Sequence, residues 1–145
     1  MKTEIHESEL YQDKIRSQEP SPVVKRVWLE GLTYQCCFIQ EQYTWEEARA
    51  YLQELSLLEG YRWRLPTLAE LEKLLTKAPS QNINGEPYYM VKSFLDFMPQ
   101  ESIFWSASME NRFGVWVVDF NQGMYYLRDK TNRYHLLAVC ESKLV

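Results

Sequence analysis

Histidine is nearly absent from this 145-residue chain, which carries only His6 and His135. One lies in a polar N-terminal stretch and the other in a strand-like apolar run. Neither has the partners in sequence that a general base needs. Cysteine is also scarce: Cys36, Cys37 and Cys140 are odd in number and two are adjacent, which is not a disulfide framework. Free thiols are expected, and a bridge from Cys140 to one member of the pair stays open, because neighbouring strand residues face opposite ways. There is no glycine-rich phosphate loop, nucleophile elbow or paired metal motif. No apolar run approaches the ~20 residues that span a bilayer, so no membrane insertion is expected. Residues 1–7 lack the apolar core of a secretory signal, which makes the cytoplasm the expected location. Positive charge is in deficit, with 16 Lys and Arg against 20 Asp and Glu and a pI near 5.3. Without a basic stripe to displace counterions from phosphates, no nucleic-acid partner is expected. The one basic cluster, Arg128, Lys130 and Arg133, is interrupted by Asp129 and reads as a solvated loop.

What the chain does hold is apolar and aromatic material, 46% and 14% of its residues, enough for one sizeable core. Residues 1–22 read as a polar tail ending in Glu19-Pro20-Ser21-Pro22, and residues 23–145 as a single domain. Two early strands are expected over residues 23–29 and 32–38, turning at Glu30-Gly31. Thr44-Trp45-Glu46-Glu47 and Thr67-Leu68-Ala69-Glu70 each place Thr three residues before Glu, the spacing of a capping box. The first box opens a helix from Trp45 to about Leu58, with Ala48, Tyr51, Leu52, Leu55 and Leu58 on its apolar stripe and Gly60 as a left-handed C-cap. The second opens a helix from Leu68 to about Lys77. Residues 80–102 carry many apolar side chains around Asn84-Gly85 and read as a long, packed loop with a short helix.

The last third reads as an antiparallel meander. Strands are expected at residues 103–108, 114–120 and 124–128, with Asn121-Gln122-Gly123 as a hairpin turn, and at residues 134–140 to close the sheet. Helices first and antiparallel strands last give the α+β class.

Gly31-Leu32-Thr33-Tyr34-Gln35, Thr44-Trp45-Glu46-Glu47-Ala48, Trp63-Arg64-Leu65-Pro66-Thr67 with Glu70-Leu71, Phe104-Trp105-Ser106-Ala107-Ser108 and Val115-Trp116-Val117-Val118-Asp119-Phe120 follow one another in this order. Together they resemble the C-terminal domain of legionella collagen-like adhesins, a domain also found in many uncharacterised bacterial proteins, over about residues 23–142. That resemblance implies a C-type-lectin-like fold, in the branch that also resembles formylglycine-generating enzymes and the variable proteins of diversity-generating retroelements. The implied scaffold is two amphipathic helices on a twisted, mainly antiparallel sheet, with a long internal loop region and a loop-rich binding face. The chain departs from that wider group in two ways. Asp96, Glu101, Glu110 and Asp119 are too scattered to supply the 6 to 8 oxygen ligands of calcium. Cys36-Cys37 cannot turn both sulfurs to one copper ion from a regular strand. No metal, no cofactor and no catalytic residue is therefore expected.

The conspicuous motifs of this resemblance read first as architecture. Thr44, Trp45, Glu47, Thr67 and Glu70 start helices, Trp63 fills core, Pro66 sets helix entry and Arg64 pairs with Glu70. Trp105 and Trp116 are assigned to the core. Candidate ligand-binding residues come from the loops of the late strands: Ser106, Ser108, Asn111 and Arg112, then Asn121, Tyr125, Tyr126 and Arg128, then Asn132, Arg133 and Tyr134. Tyr, Asn, Ser and Arg combine rigid amphipathic area with adaptable hydrogen bonds. The expectation is a non-catalytic, calcium-independent recognition module for a protein or glycan ligand, with a structural or self-assembling homo-oligomeric component as the alternative.

Overall fold

A computed structural model of the chain describes residues 25–36 and 41–144. The expected tail, the outer ends of the first two strands, Cys37 and the side chain of Cys36 lie outside the described residues. Strands β1 (Lys25–Leu29) and β2 (Leu32–Cys36) form an antiparallel hairpin with Leu29 opposite Leu32. Its two turn residues, Glu30 and Gly31, both have positive φ, the geometry whose twist matches the flanking strands.

Helix α1 (Trp45–Glu59) begins at a complete capping box on Thr44 and ends at Gly60, which has φ 80° and donates to the Ser56 carbonyl. The expected boundaries and cap hold. Its buried stripe is Trp45, Ala48, Tyr51, Leu52 and Leu55. Leu58 proves 39% exposed, while Glu54 is buried.

Helix α2 (Leu68–Glu72) also begins at a complete capping box, on Thr67. It is five residues long, and the expected continuation to Lys77 is overturned. Leu75–Gln81 is instead strand β3, paired antiparallel with β4 (Pro87–Met90) through Leu75 opposite Met90 and Ser80 opposite Tyr88. The physical reason is partnership: no glycine C-cap follows α2, Thr76 is β-branched, and β4 supplies a ladder that a longer helix would forgo. Pro79 is tolerated because the register slips between Leu75 and Ser80. The expected long loop is thus largely a hairpin, turned at Asn82, whose carboxamide oxygen accepts from the Asn84 and Glu86 amides. The short helix expected there is a 3₁₀ helix, Lys92–Phe97.

Strands β5 (Ile103–Met109), β6 (Gly114–Asp119) and β7 (Met124–Asp129) form the expected meander in the order β5-β6-β7. Strand β8 (Ala138–Cys140) does not close it. It pairs with β2, giving a separate sheet β1-β2-β8 that joins the two ends of the described chain. Tyr134 and His135 make only single bridges, to Tyr43 and Phe104. The class is mixed helix and strand as expected, but three small antiparallel sheets replace one twisted sheet.

Period-two alternation divides the interior between two clusters. Trp105, Val115, Val117, Ala138 and Cys140 join the stripe of α1, Trp63 and Leu65 in the first. Phe104, Val118, Phe120, Leu137 and Val139 join Leu71, Leu74, Tyr88, Met90 and Phe94 in the second. The meander is therefore covered on both faces over much of its length. Each side chain fully buried there contributes roughly 1.5–3 kcal/mol.

Candidate functional site

Two arginine-clamped helix starts hold the surface in place. At α2, Arg64 makes a two-pronged bond to Glu70, 2.9 Å at each oxygen, while Glu70 accepts the Thr67 amide at 2.8 Å. The hydrogen bond from Arg64 comes first among the causes that hold the Glu70 carboxyl below its usual value, and the same bond raises Arg64. Arg64 also bridges by backbone to Val139 of β8, so the clamp ties α2 to the terminal sheet. Pro66 and Trp63 are buried beside it. At α1, Glu47 accepts the Thr44 amide at 3.0 Å and the Arg133 guanidinium at 2.7 Å. Partial burial pushes Glu47 up, but these hydrogen bonds outweigh it and the carboxyl sits below its usual value.

The expected loop residues separate into three groups. Several are committed to the fold. Ser106 is fully buried, its hydroxyl donating to the Trp116 carbonyl, so it has no surface to offer. Ser108 accepts the Leu68 amide at the start of α2. Asn111 accepts the Phe113 and Gly114 amides, and Asn121 ties the Ser102 amide to the Gln100 carbonyl. Arg133 is the clamp on Glu47, and the Tyr134 ring packs edge-on against Trp105. Asn132 closes the turn after β7 with its backbone N–H, donated to the Asp129 carbonyl, and its side chain is exposed.

A second group faces α1 along one edge. Tyr126 donates to the Asp119 carboxylate at 2.8 Å; burial first, and then that bond, push its hydroxyl well above the usual value. The Arg128 guanidinium lies 4.0 Å from the centre of the Tyr126 ring, a cation–π stack.

The third group is open, and the sequence reading missed its centre. Trp116, assigned to the core, is only half-buried. It stands on the sheet face turned away from α1, opposite Leu127, with Tyr125 opposite Val118. The second core cluster covers that face at Val118 and Phe120 and stops short of Trp116. The Trp116 indole packs edge-on against Tyr125 at 5.8 Å and donates to Glu110 at 3.2 Å. Tyr125 is 44% exposed and Phe113, at the turn leading into β6 and under the Arg112 guanidinium, is 61% exposed. Alternation alone groups Trp116 with two core residues, so only the reach of the covering cluster shows it exposed.

Chemically, this surface offers contact area and hydrogen bonds. Among the described residues no three His, Cys, Asp or Glu side chains gather at metal-binding distance. Cys140 is buried and points its sulfur at the Ser142 carbonyl. His135 is buried, which lowers its pKa and keeps the ring neutral near pH 7.

A groove of about 820 Å³ lies elsewhere, along one side of α1. Trp45, Glu46, Arg49, Ala50, Gln53 and Ser56 form one wall; Arg62, Trp63, Arg64, Leu65 and Thr67 form the other, with Ala107 between.

No curated protein matches this chain. The model of the Lcl C-terminal domain family matches residues 26–140, from β1 through β8 and across both capping boxes. The chain belongs to the Lcl C-terminal domain family.

Proposed function

We propose that this protein is a non-catalytic recognition module of C-type-lectin-like fold, which binds a protein or glycan ligand through the outer face of its meander. The observation that carries this reading is the partly exposed Trp116, paired with Tyr125 on a face that the core leaves uncovered there. Tryptophan, tyrosine and arginine are the residue types that dominate binding energy at interfaces. Here Arg112 stacks on Phe113 at the turn that leads into β6, the strand that carries Trp116, within a three-stranded sheet. The C-type-lectin-like assignment rests on the family resemblance, with two capped helices preceding an antiparallel meander. Self-assembly through the same face is the second reading, favoured by the position of β7 at the edge of its sheet beside exposed Met124 and Tyr125.

The test is a glycan array and a peptide array probed with the wild type and with a Trp116→Ala/Tyr125→Ala variant. Specific hits that weaken tenfold or more in the variant are expected, the scale of a truncated hot spot. Hits that survive the variant unchanged contradict this face as the site.

A further inference from the structure

The groove beside α1 is separate from the meander face and carries charge of the opposite sign to the chain as a whole, which is −4. Its lining holds three arginines, Arg49, Arg62 and Arg64, and one acid, Glu46. Glu46 is itself held by Arg49 at 3.1 Å and by Lys130 at 3.6 Å. Arg64 is occupied by Glu70, whereas exposed Arg62 makes no ion pair among the described residues. A guanidinium has five N–H donors, and Arg49 uses one of them on Glu46, so donors remain at Arg49 as well as at Arg62.

The groove's length selects the kind of ligand. Its helical wall runs from Trp45 to Ser56, which at ~1.5 Å per residue is about 16 Å. An extended peptide at ~3.3 Å per residue fills that length with about five residues. The accessible surface between the charges is apolar, from Ala50 and Ala107, backed by buried Leu52 and Leu65. Leu57, four residues on from Gln53 and 71% exposed, continues the same helix face. Sugar rings stack on open aromatic faces, and the groove offers none. Trp45 and Trp63 are 5% and 4% exposed, and the Arg49 guanidinium lies 4.8 Å from the centre of the Trp45 ring.

We propose that this groove docks a short, extended acidic segment of a partner protein, with carboxylates on Arg62 and Arg49 and apolar side chains against the floor between them. The recognition is charge-assisted hydrogen bonding on a fixed fork, so it distinguishes a carboxylate from its amide.

The test is fluorescence anisotropy with a labelled five-residue peptide that alternates glutamate and leucine, titrated with the full chain. Saturable binding is expected. It should weaken about tenfold in Arg62→Ala and less in Arg49→Ala, whose guanidinium already has a partner. It should also weaken as salt rises from 0.1 M to 1 M, where the screening length falls from ~10 Å to ~3 Å. Both arginines are exposed, and circular dichroism checks that each variant stays folded. Arg112→Ala and Trp116→Ala, on the meander face, should leave the titration unchanged, so this proposal and the meander site stand or fall separately. Equal binding of the glutamine-leucine peptide, equal binding by Arg62→Ala, or no binding at millimolar protein overturns the proposal. Binding that appears only after residues 1–22 are removed overturns it too, by assigning the groove to this chain's own acidic stretch.

Discussion

Two helices in this protein open with the same device and end differently. Thr44 and Thr67 each cap a helix, Glu47 and Glu70 each complete the box, and an arginine from outside the helix clamps each glutamate. Yet α1 runs for 15 residues and α2 for 5. The difference lies downstream of the caps. In α1 the apolar stripe continues from Trp45 to Leu55, about three turns, against Trp105, Val115 and Val117, and Gly60 closes the helix. In α2 a single buried residue, Leu71, is followed by Leu74 and then by a strand that β4 is waiting to pair. A cap fixes where a helix begins; packing and pairing fix where it stops.

The largest expected effects test that statement at the core. Leu55→Ala in α1 and Leu71→Ala in α2 should each cost about 2–5 kcal/mol, the range for a fully buried leucine. Both are 1% exposed or less. Urea unfolding measures them, and a small loss for Leu71→Ala would show that the short helix is held by its cap rather than by its packing.

Next come the clamps. Arg64 is 38% exposed and holds both Glu70 oxygens at 2.9 Å, whereas Arg133 is 57% exposed and holds the Glu47 oxygens unevenly, at 2.7 and 3.4 Å. Arg64→Ala should cost about 1–2 kcal/mol, a charged hydrogen-bond pair discounted for exposure. Arg133→Ala should cost less than about 0.5 kcal/mol. Equal losses in the same urea experiment would erase the distinction between them. Thr44→Ala and Thr67→Ala should be closer to each other, about 1 kcal/mol apiece.

The subtlest difference appears in pH. His135 sits below its ordinary 6.5, so its contribution is complete above that pH and is lost as pH falls from there toward its folded value. Glu47 and Glu70 sit below their ordinary 4.5. Their contribution is complete above that value and is lost as pH falls through their lowered folded values. Acid unfolding should therefore show a first decline below pH 6.5 and a second below 4.5. Glu70→Gln should flatten the second decline more than Glu47→Gln. Thermal melts from pH 7 to pH 3 check both.

The sequence made the helix starts legible because a capping box is local: Thr, Glu and their spacing suffice, and Arg64 lies six residues from Glu70. The end of α2 was not legible, because it depends on Met90 and Tyr88, more than ten residues on. Nor was the fate of the last strand, which leaves the meander to pair with β2 from the other end of the chain. The candidate loop residues were named for their chemistry, and chemistry does not reveal commitment. Ser106, Asn111 and Asn121 spend their polar atoms on backbone groups, while Trp116, named for the core, is only partly buried. The groove was invisible for the same reason as β8: its walls come from residues 45–56, 62–67 and 107, which meet only in three dimensions.

Light-scattering mass of the purified chain tests most directly whether the Trp116 and Tyr125 face is free to recognise a partner. The account predicts the monomer mass of 17.4 kDa, unchanged in Trp116→Ala/Tyr125→Ala. A dimer that reverts to monomer in that variant would contradict it and make self-assembly the use of this face.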